Sequence, residues 1–234
     1  MNGFSIFVGG VLPYLAILVF VVGMIYRVRV WYKSPQPGKM TLFPAKEGDT
    51  LKQVLAETFF FPSLFKGDKT LWGFSWLFHV MLALIFLGHF RVVTGILDTT
   101  LFSMGMTQDG VDMLSAVAGG GAGIVVLATG LLLLFRRITI IRVRQISGFP
   151  DFFALLLLLA IFITGDIMRF WNHIELEQTR IWARSLLTLS PVVPQHTMFL
   201  LHAMLAQFLF VYIPFSKVMH FGGIFFTQAL IKRR

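Results

Sequence analysis

Residues 71–93 read LWGFSWLFHVMLALIFLGHFRVV, and residues 199–220 read FLLHAMLAQFLFVYIPFSKVMH. Each stretch is apolar over the roughly 20 residues that a helix needs to cross a bilayer core. Each also carries two histidines: His79 and His89 in the first, His202 and His220 in the second, His220 just past the apolar run. An ionisable side chain within a membrane is costly and marks function by default. A hydrogen bond across helices would explain one such histidine. Two pairs on two helices ask for more.

A helix rises about 1.5 Å per residue, so His79 and His89 lie about 15 Å apart in depth and His202 and His220 about 27 Å apart. Packed antiparallel, the two helices bring His79 level with His220 and His89 level with His202. Eighteen residues are five whole turns, which puts His202 and His220 on one face. Ten residues leave His79 and His89 roughly 80° apart. A tilt, a change of rotamer or a bend at Pro214 has to absorb that mismatch.

The rest of the chain fits a membrane protein. Of its 234 residues, 56% are hydrophobic and 13% charged, against about a quarter charged in soluble domains. Further apolar runs complete a set of five spans, expected near 4–26, 73–97, 112–135, 151–172 and 197–216. The fold class is therefore an all-α, five-helix transmembrane bundle, a single membrane domain over residues 1–234. The net charge is +9, but the basic residues flank apolar runs, so they read as topology and lipid-headgroup contacts rather than nucleic-acid contacts. The loop 27–72 holds Arg27, Arg29, Lys33, Lys39, Lys46, Lys52, Lys66 and Lys69. Arg136, Arg137, Arg142 and Arg144 follow the third span, and Lys217, Lys232, Arg233 and Arg234 follow the fifth. Residues 98–112 have no Lys or Arg, and residues 172–197 mix Arg180 and Arg184 with Glu175 and Glu177. The positive-inside rule makes the basic segments cytoplasmic, with the N-terminus outside and the C-terminus inside a cytoplasmic (inner) membrane. The positive charges come after the first apolar run, the reverse of a cleaved signal, so that run is expected to remain as a helix. Amphipathic helices are expected at Thr50–Phe61, with Leu51, Val54, Leu55 and Thr58 on one side, and around Ile181–Leu189.

The chain has no Cys, which removes thiolate clusters and covalent haem attachment. Haem iron accepts two axial imidazoles, and its flat macrocycle fits between bundle helices. Zinc wants three or four convergent ligands, and each level offers two. The expected cofactors are two b haems.

Other residues invite roles. Asp166 and Arg169 lie three apart in the outer third of the fourth span; Asp166 is either a structural ion-pair partner or an acceptor for a quinol proton. His173 and His196, in or beside the outer loop, are further quinone-site candidates. Arg91, Arg136 and Arg137 are candidate partners for haem propionates; snorkelling or topology explains them equally well. Glycines at 119, 120, 121 and 123 allow close approach of a helix or macrocycle.

These residues resemble a known family. Phe78-His79 with Gly88-His89-Phe90, and Leu201-His202 through Pro214-Phe215-Ser216-Lys217 to Met219-His220, are similar to the second and fifth helices of the gamma subunit of respiratory nitrate reductases. The ten- and eighteen-residue spacings, Ala118-Gly119-Gly120 and Arg136-Arg137 match as well. The resemblance implies that His79 and His220 ligate an inner haem, and His89 and His202 an outer one near the quinone site. The stretch Phe59-Phe60-Phe61-Pro62-Ser63-Leu64-Phe65-Lys66-Gly67-Asp68-Lys69, then Leu71-Trp72, is more similar to cytochrome b subunits of sulfite-reduction-associated membrane complexes. Those pair with a cytoplasmic iron–sulfur protein of the heterodisulfide-reductase type. The quinone-site lysine of the nitrate reductases has no match at Gly110-Val111-Asp112-Met113.

The expected function is electron exchange between a quinone pool, menaquinol by resemblance, and that iron–sulfur partner in a sulfur-metabolism complex, alongside further membrane and periplasmic subunits and lipid. The alternatives are a nitrate reductase gamma subunit and, from another class, a haem-free proton-relaying transporter or membrane anchor.

Overall fold

The computed structural model describes residues 3–33 and 50–231. Lys39 and Lys46 of the first basic loop and the terminal Lys232-Arg233-Arg234 lie outside the described residues. Five helices are long and apolar enough to span a membrane: α1 (Gly3–Lys33), α4 (Lys69–Val93), α6 (Gln108–Thr139), α8 (Phe149–Phe170) and α10 (Thr197–Tyr212, ending in a 3₁₀ turn at Ile213–Phe215). Between them run α2 (Thr50–Phe59), α3 (Pro62–Gly67), α5 (Ile96–Ser103), α7 (Ile141–Gln145) and α9 (Leu176–Leu187), and α11 (His220–Ile231) follows α10. Among the described residues there are no strands.

The spans fall where hydropathy places them, with shifted ends. The second stops at Val93 rather than 97, because Thr94 is extended and Gly95 opens α5. The third starts four residues early, at Gln108, where the Thr107 side chain accepts the Gly110 amide and caps the helix. The fourth starts two residues before 151, after Gly148, with Pro150 in its first turn. On α2 only Val54 is buried, while Leu51 and Leu55 stay exposed, so the expected four-residue apolar face narrows to one anchor.

The closely packed helix pairs are α4 with α6, α6 with α8, α8 with α10, and α10 with α1. The helices that carry the histidines, α4 and α10, are not such a pair. Phe78, Val126, Leu159 and Phe162 form one core cluster, at the meeting of α4, α6 and α8. Val8, Val193, Phe199, Leu200 and Ala203 form another, at the end opposite the basic loops. Outward residues such as Leu18, Val22 and Ile25 are exposed, as befits a helix whose solvent is lipid.

Two local irregularities fix α1 against its neighbours. A π-turn at Phe7–Val11 turns carbonyls away from the helical ladder. The Gly9 carbonyl accepts Trp182 Nε1 at 2.7 Å, and the Val8 carbonyl accepts Gln207 Nε2 at 3.1 Å. Lower down, a Cβ on Gly23 would stand 2.6 Å from Pro214 Cβ, so the glycine permits the α1–α10 contact. Arg27 Nε there donates to the Pro214 carbonyl at 2.8 Å.

Gly23→Val is therefore expected to force α1 away from α10, costing about 1–3 kcal/mol. It should lower the thermal midpoint in detergent, whereas Val22→Ala, at an exposed position, should leave it nearly unchanged.

Candidate functional site

The structure brings the four span histidines into two facing pairs. The His79 and His220 ring centres are 5.8 Å apart with their planes 85° apart. The His89 and His202 centres are 6.3 Å apart with planes 16° apart. These are the pairs that depth alone suggests. They also have the reach of a shared metal. A metal–imidazole bond is about 2 Å, and the distance from nitrogen to ring centre adds roughly 1 Å on each side, giving roughly 6 Å between centres.

One expectation needs correction. His202 and His220 do not share a continuous helix face. Helix α10 ends at Tyr212, tightens to 3₁₀ at Ile213–Phe215, and breaks at Ser216, which is extended. A second 3₁₀ turn, Lys217–Met219, then leads into α11 at His220. Pro214 supplies no amide to the ladder, and the Ser216 hydroxyl accepts the Val218 amide. This break re-aims His220 and absorbs the angular mismatch between His79 and His89.

Each of the four rings is pinned in the same way. Nδ1 donates to a backbone carbonyl: His79 to Ser75 at 2.7 Å, His89 to Ile85 at 2.8 Å, His202 to Ile161 at 3.1 Å and His220 to Lys217 at 3.1 Å. A carbonyl only accepts, so a proton sits on Nδ1, and in the neutral ring the lone pair is left on Nε2. That is the tautomer of a metal-ligating histidine, with its orientation fixed by the outer hydrogen bond. Thr164 Oγ1 also stands 3.0 Å from His202 Nδ1. Among the described residues no group of three or more carboxylates or imidazoles is placed to hold a metal by itself.

Aromatic residues border the His79 pair. Phe61 meets the His79 ring edge-on, with centres 5.3 Å apart. Its φ of 50° is left-handed, a costly state for a bulky residue. The turn is held by the Trp72 and Trp76 indoles, which donate to the Phe60 and Phe59 carbonyls at 2.8 and 2.9 Å.

The three arginines all have protein partners. Arg136 Nη2 pairs with Asp68 at 2.7 Å, and Arg137 Nη1 donates to Ser147 Oγ at 2.8 Å. Asp68 also caps α4 by accepting the Leu71 amide. That amide, outweighing desolvation together with Arg136, holds its carboxyl below the usual range. Arg91 Nε pairs with Asp98 at 2.6 Å, and Arg180 Nη2 binds the other Asp98 oxygen. Arg180 Nε also donates to the Arg91 carbonyl at 2.9 Å. The cluster ties the end of α4 to α5 and α9, and its three side chains are 10–19% exposed. Burial opposes ionisation of Asp98, but the hydrogen bonds and charges of Arg91 and Arg180 prevail and lower its pKa. Asp98 was not legible as a partner of Arg91, because the chain breaks at Thr94 between them and helical spacing does not apply.

The quinone-site candidates separate. Asp166 and Arg169 form no ion pair among the described residues. Asp166 instead points at Gly123 and lines a cavity of about 420 Å³ with Ile124, Leu127, Phe170 and Trp171. His173 is exposed in the turn after α8. His196 caps α10, its Nδ1 accepting the Phe199 amide at 3.1 Å. Its proton is therefore on Nε2, which is buried and has no partner among the described residues. That is the opposite tautomer to the four span histidines.

Residues 62–232 match the family described as nitrate reductase gamma subunit. The chain belongs to the nitrate reductase gamma-subunit family. An Archaeoglobus fulgidus protein named Hdr-like menaquinol oxidoreductase cytochrome b-like subunit is 32% identical over 94% of this chain and 77% of its own length. A protein of the same name from Archaeoglobus profundus is 29% identical over 92% and 76%. The nitrate reductase gamma chain of Bacillus subtilis is 29% identical over 90% and 88%. Within this gamma-subunit family member, both histidine pairs span the α4–α10/α11 gap, and the Arg91–Asp98–Arg180 cluster closes the end nearer His89.

Asp98→Asn would leave two arginines sharing a neutral partner, at a cost of about 2 kcal/mol. For the unaltered chain, the lowered Asp98 pKa means that its stabilisation is whole above the ordinary carboxylate pKa of about 3.9 and is lost as pH falls below it. Thermal midpoints in detergent, measured from pH 7 down to pH 3, should fall at the acid end. The acid-end fall should be smaller in Asp98→Asn.

Proposed function

We propose that the chain is the membrane cytochrome b subunit of a quinol-linked oxidoreductase complex. His79 and His220 would hold one b haem, and His89 and His202 a second. The observation that carries this reading is the geometry of the four imidazoles: two pairs with ring centres about 6 Å apart, each ring pinned through Nδ1. When bound, such haems supply one-electron transfer through the thickness of the bilayer.

The chain's own residues set the conditions. The pinned rings hold their aim without a ligand, and a neutral ring is the form that binds iron. Arg91, Arg136 and Arg137 each have five N–H donors, and those left over from their protein partners can meet propionates. The basic end, with Arg136, Arg137 and the loop lysines, is placed in the cytoplasm by the positive-inside rule. His79 and His220 are then the inner pair and His89 and His202 the outer pair.

The substrate is menaquinol, as in the names of the Archaeoglobus relatives. The electron partner is a cytoplasmic iron–sulfur subunit of heterodisulfide-reductase type in sulfur metabolism. The Phe59–Lys69 stretch supports that partner by its resemblance, and its Phe61 meets the ring of His79, where electrons would leave. A nitrate reductase gamma subunit is the second reading, favoured by the family match over residues 62–232. A haem-free relay or anchor gives the four pinned tautomers no purpose.

Two spectroscopic results are expected of the purified, haem-loaded chain. Replacing His79 or His220 by Ala should remove the same haem, and replacing His89 or His202 the other. Paramagnetic resonance of the oxidised chain should show two different low-spin ferric signals. Near-perpendicular ring planes, as in the His79–His220 pair, leave the iron orbitals near-degenerate, whereas the near-parallel planes of His89 and His202 split them. The near-perpendicular pair should give the strongly anisotropic signal, lost in His79→Ala, and the near-parallel pair the rhombic one. Loss of both haems or of neither in every variant would reject the pairing.

A further inference from the structure

We infer that the quinol headgroup is oxidised in the cavity between α6 and α8, and that the Asp166 carboxylate there takes its hydroxyl proton. This rests on the quinol-linked reading above and gives it a place and a residue.

The location follows from one turn of α8. Thr164 Oγ1 is 3.0 Å from His202 Nδ1, and a Cβ on Gly165 would sit 3.3 Å from His202 Cε1. Asp166, the next residue, turns the other way, toward α6. One helical turn therefore touches the outer ligand on one side and presents an acid to the cavity on the other.

The cavity suits the ligand. Its volume of about 420 Å³ falls within the roughly 300–1,000 Å³ of ordinary ligand pockets. Ile124, Leu127, Phe170 and Trp171 give it apolar and aromatic walls, and Asp166 is the polar side chain on its lining. A flat bicyclic quinol asks for that: ring faces to stack on and one group to meet a hydroxyl. Ile124 and Trp171 are 56% and 77% exposed, so the walls open outward to where a lipid-dissolved quinol diffuses.

The acid is there at a cost. A carboxyl within a span is expensive unless it is paired or used. Asp166 has no hydrogen bond or ion pair among the described residues, although Arg169 lies one turn away. Its carboxyl occupies the space that a Cβ at position 123 would take, so Gly123 is what admits it. The way out for a proton is short. Trp171, a residue type that favours the membrane–water boundary, is five residues on, about 7 Å along the helix. His196 and His173 are not on the cavity lining, and His196 already carries its proton on the buried Nε2.

The balance is that of a two-electron oxidation. An O–H bond of the quinol breaks and its proton goes to an Asp166 oxygen, while a haem held as proposed above would take the electron. Asp166 passes the proton to water beyond Trp171 and, again a carboxylate, takes the second. Quinol becomes quinone, with two protons released to the outer side and two electrons accepted one at a time.

The test uses the full, haem-loaded chain in lipid nanodiscs, with menadiol as donor and menadione as probe. Haem content and reduction by dithionite are measured first. A wild-type chain without haem would defeat the earlier reading and this proposal with it. Given haem, Asp166→Asn should keep its haem and its dithionite reduction but lose about a hundredfold in the rate of reduction by menadiol. Ile124→Phe, which fills the cavity without touching the acid, should lose menadione binding, read as quenching of tryptophan fluorescence. Trp171→Phe should remove most of that quench. Wild-type menadiol rates in Asp166→Asn, or wild-type quenching in Ile124→Phe, would overturn this site and leave the haem reading standing.

Discussion

The Nδ1-to-carbonyl hydrogen bond on each of the four span histidines is the constraint around which the rest is arranged. It aims each ring and, in the neutral form, leaves the lone pair on Nε2. For His79 and His89 the acceptor is the carbonyl four residues back on α4. For His220 it is the Lys217 carbonyl, available because the chain has left the helical ladder there. For His202 it is the Ile161 carbonyl of a different helix. The α8–α10 packing is thereby tied to the aim of one imidazole, so a change in that interface would be felt at the site.

Irregular backbone is placed where it serves this arrangement. The break at Pro214–Ser216 lets one span contribute to both pairs with rings aimed independently. The π-turn at Phe7–Val11 gives Trp182 and Gln207 carbonyls to hold, which locks α1 and α9 over the end of the bundle nearer His202. The left-handed Phe61 closes a tight turn over His79, held by two indole hydrogen bonds. Departures from ideal helix cost free energy, and here all three lie next to the histidine pairs or to the helices that set them.

Much of this was legible in the sequence, and the limits have physical reasons. Hydropathy located the five spans because lipid demands unbroken apolar helices. The pairing of His79 with His220 and of His89 with His202 followed from rise per residue and antiparallel packing. The angular aim of His220 did not, because five whole turns presuppose one continuous helix, and Pro214 with Ser216 interrupts it. The Asp166–Arg169 ion pair suggested by spacing did not form, because Asp166 reaches across to Gly123, a contact between helices that no local spacing reveals. Arg91 was visible as a charge near His89, but its dependence on Asp98 and Arg180 came only from the folding back of α5 and α9.

The most direct test is the dithionite-reduced minus oxidised absorption spectrum of the purified full chain, with pyridine haemochrome quantification against protein. The account predicts b-type bands and about two haems per chain. A folded chain, produced with ample haem and still colourless, would contradict it.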